Sequence, residues 1–88
     1  MKTVSYPAIV FASDDAGLVG CAVPDLLMNA SGSDVDDALS DAAAIVAELL
    51  AGMAARTEAF PEPTPADEVD LMGGTLAYLS TPLPPIAA

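Results

Sequence analysis

Four carboxylates crowd one short stretch of the chain: Asp34, Asp36, Asp37 and Asp41. On a helix Asp34, Asp37 and Asp41 share one face, an arrangement open to a hard cation. The competing reading is capping of a helix start beside a solvated acidic face. That reading is preferred, because no loop with calcium-ligand spacing surrounds these acids. Cys21 is the single thiol, and the chain has no His. With no Lys or Arg near it in sequence either, Cys21 reads as a small core residue rather than a nucleophile. Gly73-Gly74 precedes a strand pattern and not a helix, so it reads as a turn and not as a phosphate loop. Asp14, Asp15 and Asp25 stand at the ends of the first two strand patterns. They either contact a basic partner or only shape turns, and both readings stay open. No catalytic residue, metal ligand or cofactor site is predicted.

Charge narrows the partner class. Thirteen acids stand against two cations, Lys2 and Arg56, for a formal −11. Phosphates would meet no basic patch, so direct nucleic-acid binding is not expected, and an anionic membrane surface is disfavoured for the same reason. A basic protein would instead be steered in. The apolar fraction is 53% and the mean hydropathy is +0.52, which excludes disorder of the low-hydrophobicity kind. No segment is expected to approach the ~18–20 apolar residues needed to span a bilayer. The apolar run Tyr6 to Ala12 reads as a strand rather than a signal peptide, since it is short and runs into Ser13-Asp14-Asp15. A lone Cys fits a cytoplasmic protein.

The elements that would position these residues follow from pattern. Val4 to Ala12 and Leu18 to Val23 read as a hairpin across the Ser13-to-Gly17 turn. Pro24-Asp25 closes the second strand, and Leu26 to Ser31 suggests a short third. Ser33 or Asp34 can cap a helix, with Asp36 or Asp37 completing a capping-box-like start. Apolar spacing then holds for about five turns, from Val35 to Met53, ending between Ala55 and Ala59. The small residues Ala43, Ala47, Ala51 and Ala54 reflect helix propensity more than a close helix contact. Phe60 to Pro65 is a stiff connector, Ala66 to Leu71 a possible helical turn, and Thr75 to Thr81 a last strand. The expectation is an α+β fold in β-β-β-α-β order: a mainly antiparallel sheet of three to four strands under one long helix. A single domain over residues 1–81 would be followed by a Pro-rich tail over 82–88.

Both faces of the first two strands are apolar, whereas one helix covers one face. The uncovered face predicts a homo-oligomer, a dimer or higher, with Tyr6, Ala8, Val10, Leu18 and Ala22 at its interface. The competing reading drapes the Pro-rich connector and tail over that face.

The order of motifs resembles the HicB-type antitoxin family. The residues that carry the likeness are Tyr6-Pro7-Ala8-Ile9-Val10, the Asp14-Asp15-Ala16-Gly17 turn and Val23-Pro24-Asp25-Leu26. Gly32-Ser33-Asp34-Val35-Asp36-Asp37-Ala38-Leu39 and Pro61-Glu62-Pro63 complete it. It covers about residues 5–65 and, more loosely, the last strand. The family's usual Leu-Pro-Gly-Cys after the second strand is absent; Leu26-Leu27-Met28-Asn29 stands there. The resemblance implies a partial RNase H-like domain that binds and neutralises a HicA-like toxin, a small basic mRNA-cleaving protein. The DNA-binding domain that many members carry is not expected here. The alternative is an orphan, self-assembling interaction protein of the same fold without a toxin. RNase H enzymes hold two Mg²⁺ ions on carboxylates of adjacent strands and a helix, and these strand patterns contain none, so an enzyme is not expected.

Overall fold

Asp34 starts the helix that organises the rest. Its backbone is extended and its Oδ1 accepts the Asp37 N–H at 2.8 Å. Asp37 reaches back in turn, its Oδ2 accepting the Ser33 N–H at 2.9 Å and the Ser33 hydroxyl at 3.2 Å. Asp36 and Asp37 in the first turn complement the positive end of the helix dipole. Helix α1 then runs over Val35–Ala55, as the periodicity predicts. It closes in a Schellman motif, with Thr57 N–H on Ala54 O (3.2 Å) and Glu58 N–H on Met53 O (2.8 Å). Thr57 holds the left-handed position at φ 57°, where glycine is usual.

A computed structural model describes residues 3–84; the expected tail residues 85–88 lie outside the described residues. The strands are β1 (Thr3–Val10), β2 (Val19–Val23), β3 (Met28–Gly32) and β4 (Thr75–Pro82), in the order β3-β2-β1-β4, every pair antiparallel. The expected α+β order is therefore observed, with four strands. The expected third strand begins two residues later than predicted. A 3₁₀ turn over Pro24–Leu26 comes first, and Leu27 after it is left-handed at φ 53°.

Pro7 stands inside a central strand without breaking it. The Phe11 N–H donates to Gly20 O at 2.9 Å, so alternate residues of β1 turn their backbone groups toward β2. Continuing the Ile9↔Ala22 register by two residues brings Pro7 opposite Pro24. Two residues without N–H groups thus meet where the β1–β2 ladder ends, and the β1–β4 ladder passes Pro7 undisturbed.

Side chains on one face of the sheet form the core with α1. Tyr6, Ala8, Val10, Val19, Cys21 and Val23 pack with Ala38, Ala42, Val46 and Leu50. Burying a residue such as Leu50 or Val46 contributes about 1.5–3 kcal/mol each. Three of the expected interface residues, Tyr6, Ala8 and Val10, therefore belong to the chain's own core, which corrects the prediction. Strand alternation shows which residues share a face; it does not show which face the helix takes.

The opposite face is covered as well, so the premise of an uncovered face also fails. After α1, residues 57–74 form a strap that rounds one end of the sheet. The Tyr6 hydroxyl donates to Pro61 O at 2.6 Å. Asp25 holds Thr64, and Val69, Asp70 and Met72 lie against Pro7 and Pro24 across a shallow cleft of about 200 Å³. At its far end Gly74 touches Ile9 and Phe11. Pro7 and Ile9 are fully buried and Ala22 nearly so. Crossing the face also returns the chain to the end at which α1 began, which is why β4 runs antiparallel to β1.

Length and composition make α1 apolar enough to cross a membrane, contrary to the expectation that no segment approaches this. In the fold its Ala38-Ala42-Val46-Leu50-Ala54 face lies on the sheet, and Asp36, Asp41 and Glu48 are exposed.

Candidate acidic binding surface

Of the thirteen acids only Asp25 is partly buried; the other twelve are exposed. Their roles divide sharply. Asp14 shapes its loop, its Oδ1 accepting the N–H groups of Ala16 (2.9 Å) and Leu18 (3.0 Å). Gly17, at φ 81°, donates its N–H to Asp14 O and supplies the left-handed residue that this tight return needs. Asp25 lies at the opposite end of β2 and takes the N–H and hydroxyl of Thr64. Asp14, Asp15 and Asp25 therefore do not form one patch: Asp14 is a turn former, Asp25 a strap anchor, and Asp15 accepts no hydrogen bond among the described residues.

The register brings a different set together. Val19 pairs with Gly32, so the loop before β2 and the start of α1 emerge side by side. Asp14 and Asp15 thus share one end of the sheet with Asp34, Asp36 and Asp37. Asp34 and Asp37 are engaged in capping, while Asp15 and Asp36 are exposed with no partner among the described residues. Sequence reasoning treated the helix acids and the loop acids separately. The signal that joins them is the β2–β3 register, which no local motif announces.

A groove of about 320 Å³ opens at this same end, lined by Phe11, Ala12, Val35, Gly73, Thr75 and Ala77 among others. Val35, 47% exposed, stands in it between Asp34 and Asp36. The end of the sheet therefore presents an apolar slot beside acids. Of the remaining expected interface residues, Leu18 is 45% exposed close to this end, and Ala22 is buried on the face under the strap.

Cys21 is buried in the core, and burial pushes its thiol above the usual range. None of the four strands carries a carboxylate. Among the described residues no group of three His, Cys, Asp or Glu side chains could hold a metal ion. Arg56 is engaged by Glu58 at 2.7 Å, the one ion pair among the described residues. The chain matches no family model, and no curated protein matches it.

Proposed function

We propose that this chain is an antitoxin-like module of the cytoplasm that captures a small basic, HicA-like protein by direct contact and performs no chemistry of its own. The observation that carries this reading is the acidic end of the sheet, where Asp15 and Asp36 are exposed, a largely apolar groove opens at the same end, and no cation pairs with either acid among the described residues. Such a surface attracts a cationic partner at long range and gives it an apolar slot at contact. The likeness in motif order to HicB-type antitoxins supports the same partner class.

The test is co-expression with the product of the adjacent reading frame, read by growth and by co-purification. A toxic neighbour that is rescued and co-purifies supports the proposal. A neighbour that is harmless alone, or toxic and not rescued, ends it. The double charge reversal Asp15→Lys with Asp36→Lys should abolish rescue while the chain still folds, since neither side chain makes a hydrogen bond among the described residues and the lost helix-dipole contribution of Asp36 is only about 0.3–1 kcal/mol. Cleavage of an RNA–DNA hybrid with Mg²⁺, lost on replacing Asp37 or Asp41, would establish an enzyme instead. The open edge of β4 favours the alternative, a self-assembling protein of the same fold without a toxin partner. The two readings separate on whether the adjacent product is captured.

A further inference from the structure

Strand β4 is a free edge among the described residues, and apart from Pro82 at its last position its sequence lacks the devices that usually protect one. Val4, Tyr6, Ala8 and Val10 turn their backbone groups toward β4, where they meet Thr81, Leu79, Ala77 and Thr75. Leu76, Tyr78 and Ser80 therefore present their N–H and C=O groups outward, away from the sheet. The other edge, β3, is shorter, and its outward positions are the exposed polar residues Asn29 and Ser31. β4 has eight residues and no charged side chain. Edges of that kind are templates for further strands.

We infer that β4 pairs antiparallel with β4 of a second copy of this chain, with Tyr78 on the two-fold axis. Charge selects the occupant. Residues 71–88 contain no Asp, Glu, Lys or Arg in a chain of net charge −11. A basic partner gains nothing from a neutral edge, whereas a second copy, repelled elsewhere, needs one. Register selects the axis. With Tyr78 opposite its own copy, Leu76 faces Ser80 of the partner subunit, and every outward N–H finds a carbonyl. A shift of the axis to Leu79 would bring Pro82, which has no N–H, opposite Leu76. Tyr78 is 51% exposed, and the pairing places its ring beside its symmetry mate, an aromatic cross-strand contact that adds stability. This pairing is independent of any basic partner.

Sedimentation equilibrium of the full chain tests it, together with oxidative cross-linking. The expected mass is twice the 8.8 kDa chain. Tyr78→Lys sets two like charges face to face, and Ser80→Pro removes an outward donor that β1 does not use; both should weaken dimerisation severalfold at unchanged helix content. Tyr78→Cys should cross-link rapidly under mild oxidation, because paired antiparallel residues lie at about 5.5 Å between Cα atoms. Leu76→Cys should lag behind it, and Cys21 is buried and does not compete. A wild-type chain that sediments at single-chain mass at all concentrations would overturn the proposal. So would undiminished dimerisation in both variants, or faster cross-linking by Leu76→Cys than by Tyr78→Cys.

Discussion

The Asp25 carboxylate receives both the backbone N–H and the hydroxyl of Thr64, at 3.0 and 2.5 Å, across 39 positions of sequence. This two-point tie fixes the strap to the turn between β2 and β3, and with it the cover over Pro7 and Ile9. Asp25, whose place at a strand end is equally compatible with a partner contact, is engaged within the chain. Hydrogen bonds to a charged group contribute about 1.5–3 kcal/mol. Asp25→Ala and Thr64→Ala should each lower stability by an amount in that range, with the double variant little worse than either single one. Urea denaturation of the three variants measures this coupling.

Gly32 lies beneath the first turn of α1, where a Cβ would stand 2.5 Å from Ala38 N and 2.7 Å from Asp37 C. Backbone atoms cannot step aside as a side-chain tip can. Gly32→Ala should cost about 1–3 kcal/mol, and Gly74→Ala a similar amount, because its Cβ would meet Val10 O at 2.9 Å. Gly17→Ala meets nothing nearby, so its cost should arise from the left-handed backbone alone. Thermal melts of the three compare packing with conformation.

Thr57 is the one place where a substitution should stabilise the helix end. It occupies a left-handed position with a β-branched side chain, at a penalty of about 1–2 kcal/mol. Thr57→Gly should recover about 1 kcal/mol, the flexible unfolded glycine taking back the rest. For a chain of this size the Tm should rise by about 4–8 °C, read by calorimetry.

How much of this was legible in the sequence depends on the range of the contact. The helix and its cap were plain, because Asp34, Asp37 and the Val35-to-Met53 spacing act within a few residues. The Asp14-to-Gly17 turn was legible on the same ground. The strap was not, because its ties, Tyr6 to Pro61 and Asp25 to Thr64, join residues 55 and 39 apart, and proline-rich connectors carry no periodicity. Two apolar faces were correctly visible in Pro7, Ile9, Tyr6 and Ala8. That the chain would cover the second face itself was not, nor that α1 would take the face of Tyr6, Ala8 and Val10, and the interface expected at these residues and at Ala22 fails on both counts.

Alkaline pH should expose the Tyr6 tie. Burial, and secondarily the negative Asp25, raise the Tyr6 hydroxyl above its ordinary value of 10.0. The folded state therefore favours the neutral phenol. The stability this group contributes is fully present below about pH 10 and is lost as pH rises through the higher folded value. Cys21, raised from 9.0 by burial, acts in the same sense from a lower starting pH. Tyr6→Phe should cost about 1 kcal/mol at neutral pH and should flatten the decline above pH 10 while leaving the part due to Cys21. Urea midpoints from pH 7 to 11 record both effects.

Affinity for the product of the adjacent reading frame, titrated from about 50 mM to 0.5 M salt, tests the proposed capture of a basic partner most directly. If the acidic end of the sheet makes the contact, the Kd should rise steeply with salt. It should rise again with Asp15→Lys and Asp36→Lys, and it should stay nearly unchanged in Asp25→Ala, whose carboxylate serves the strap. Salt-independent binding, or binding indifferent to the two reversals and lost with Asp25→Ala, would contradict the account.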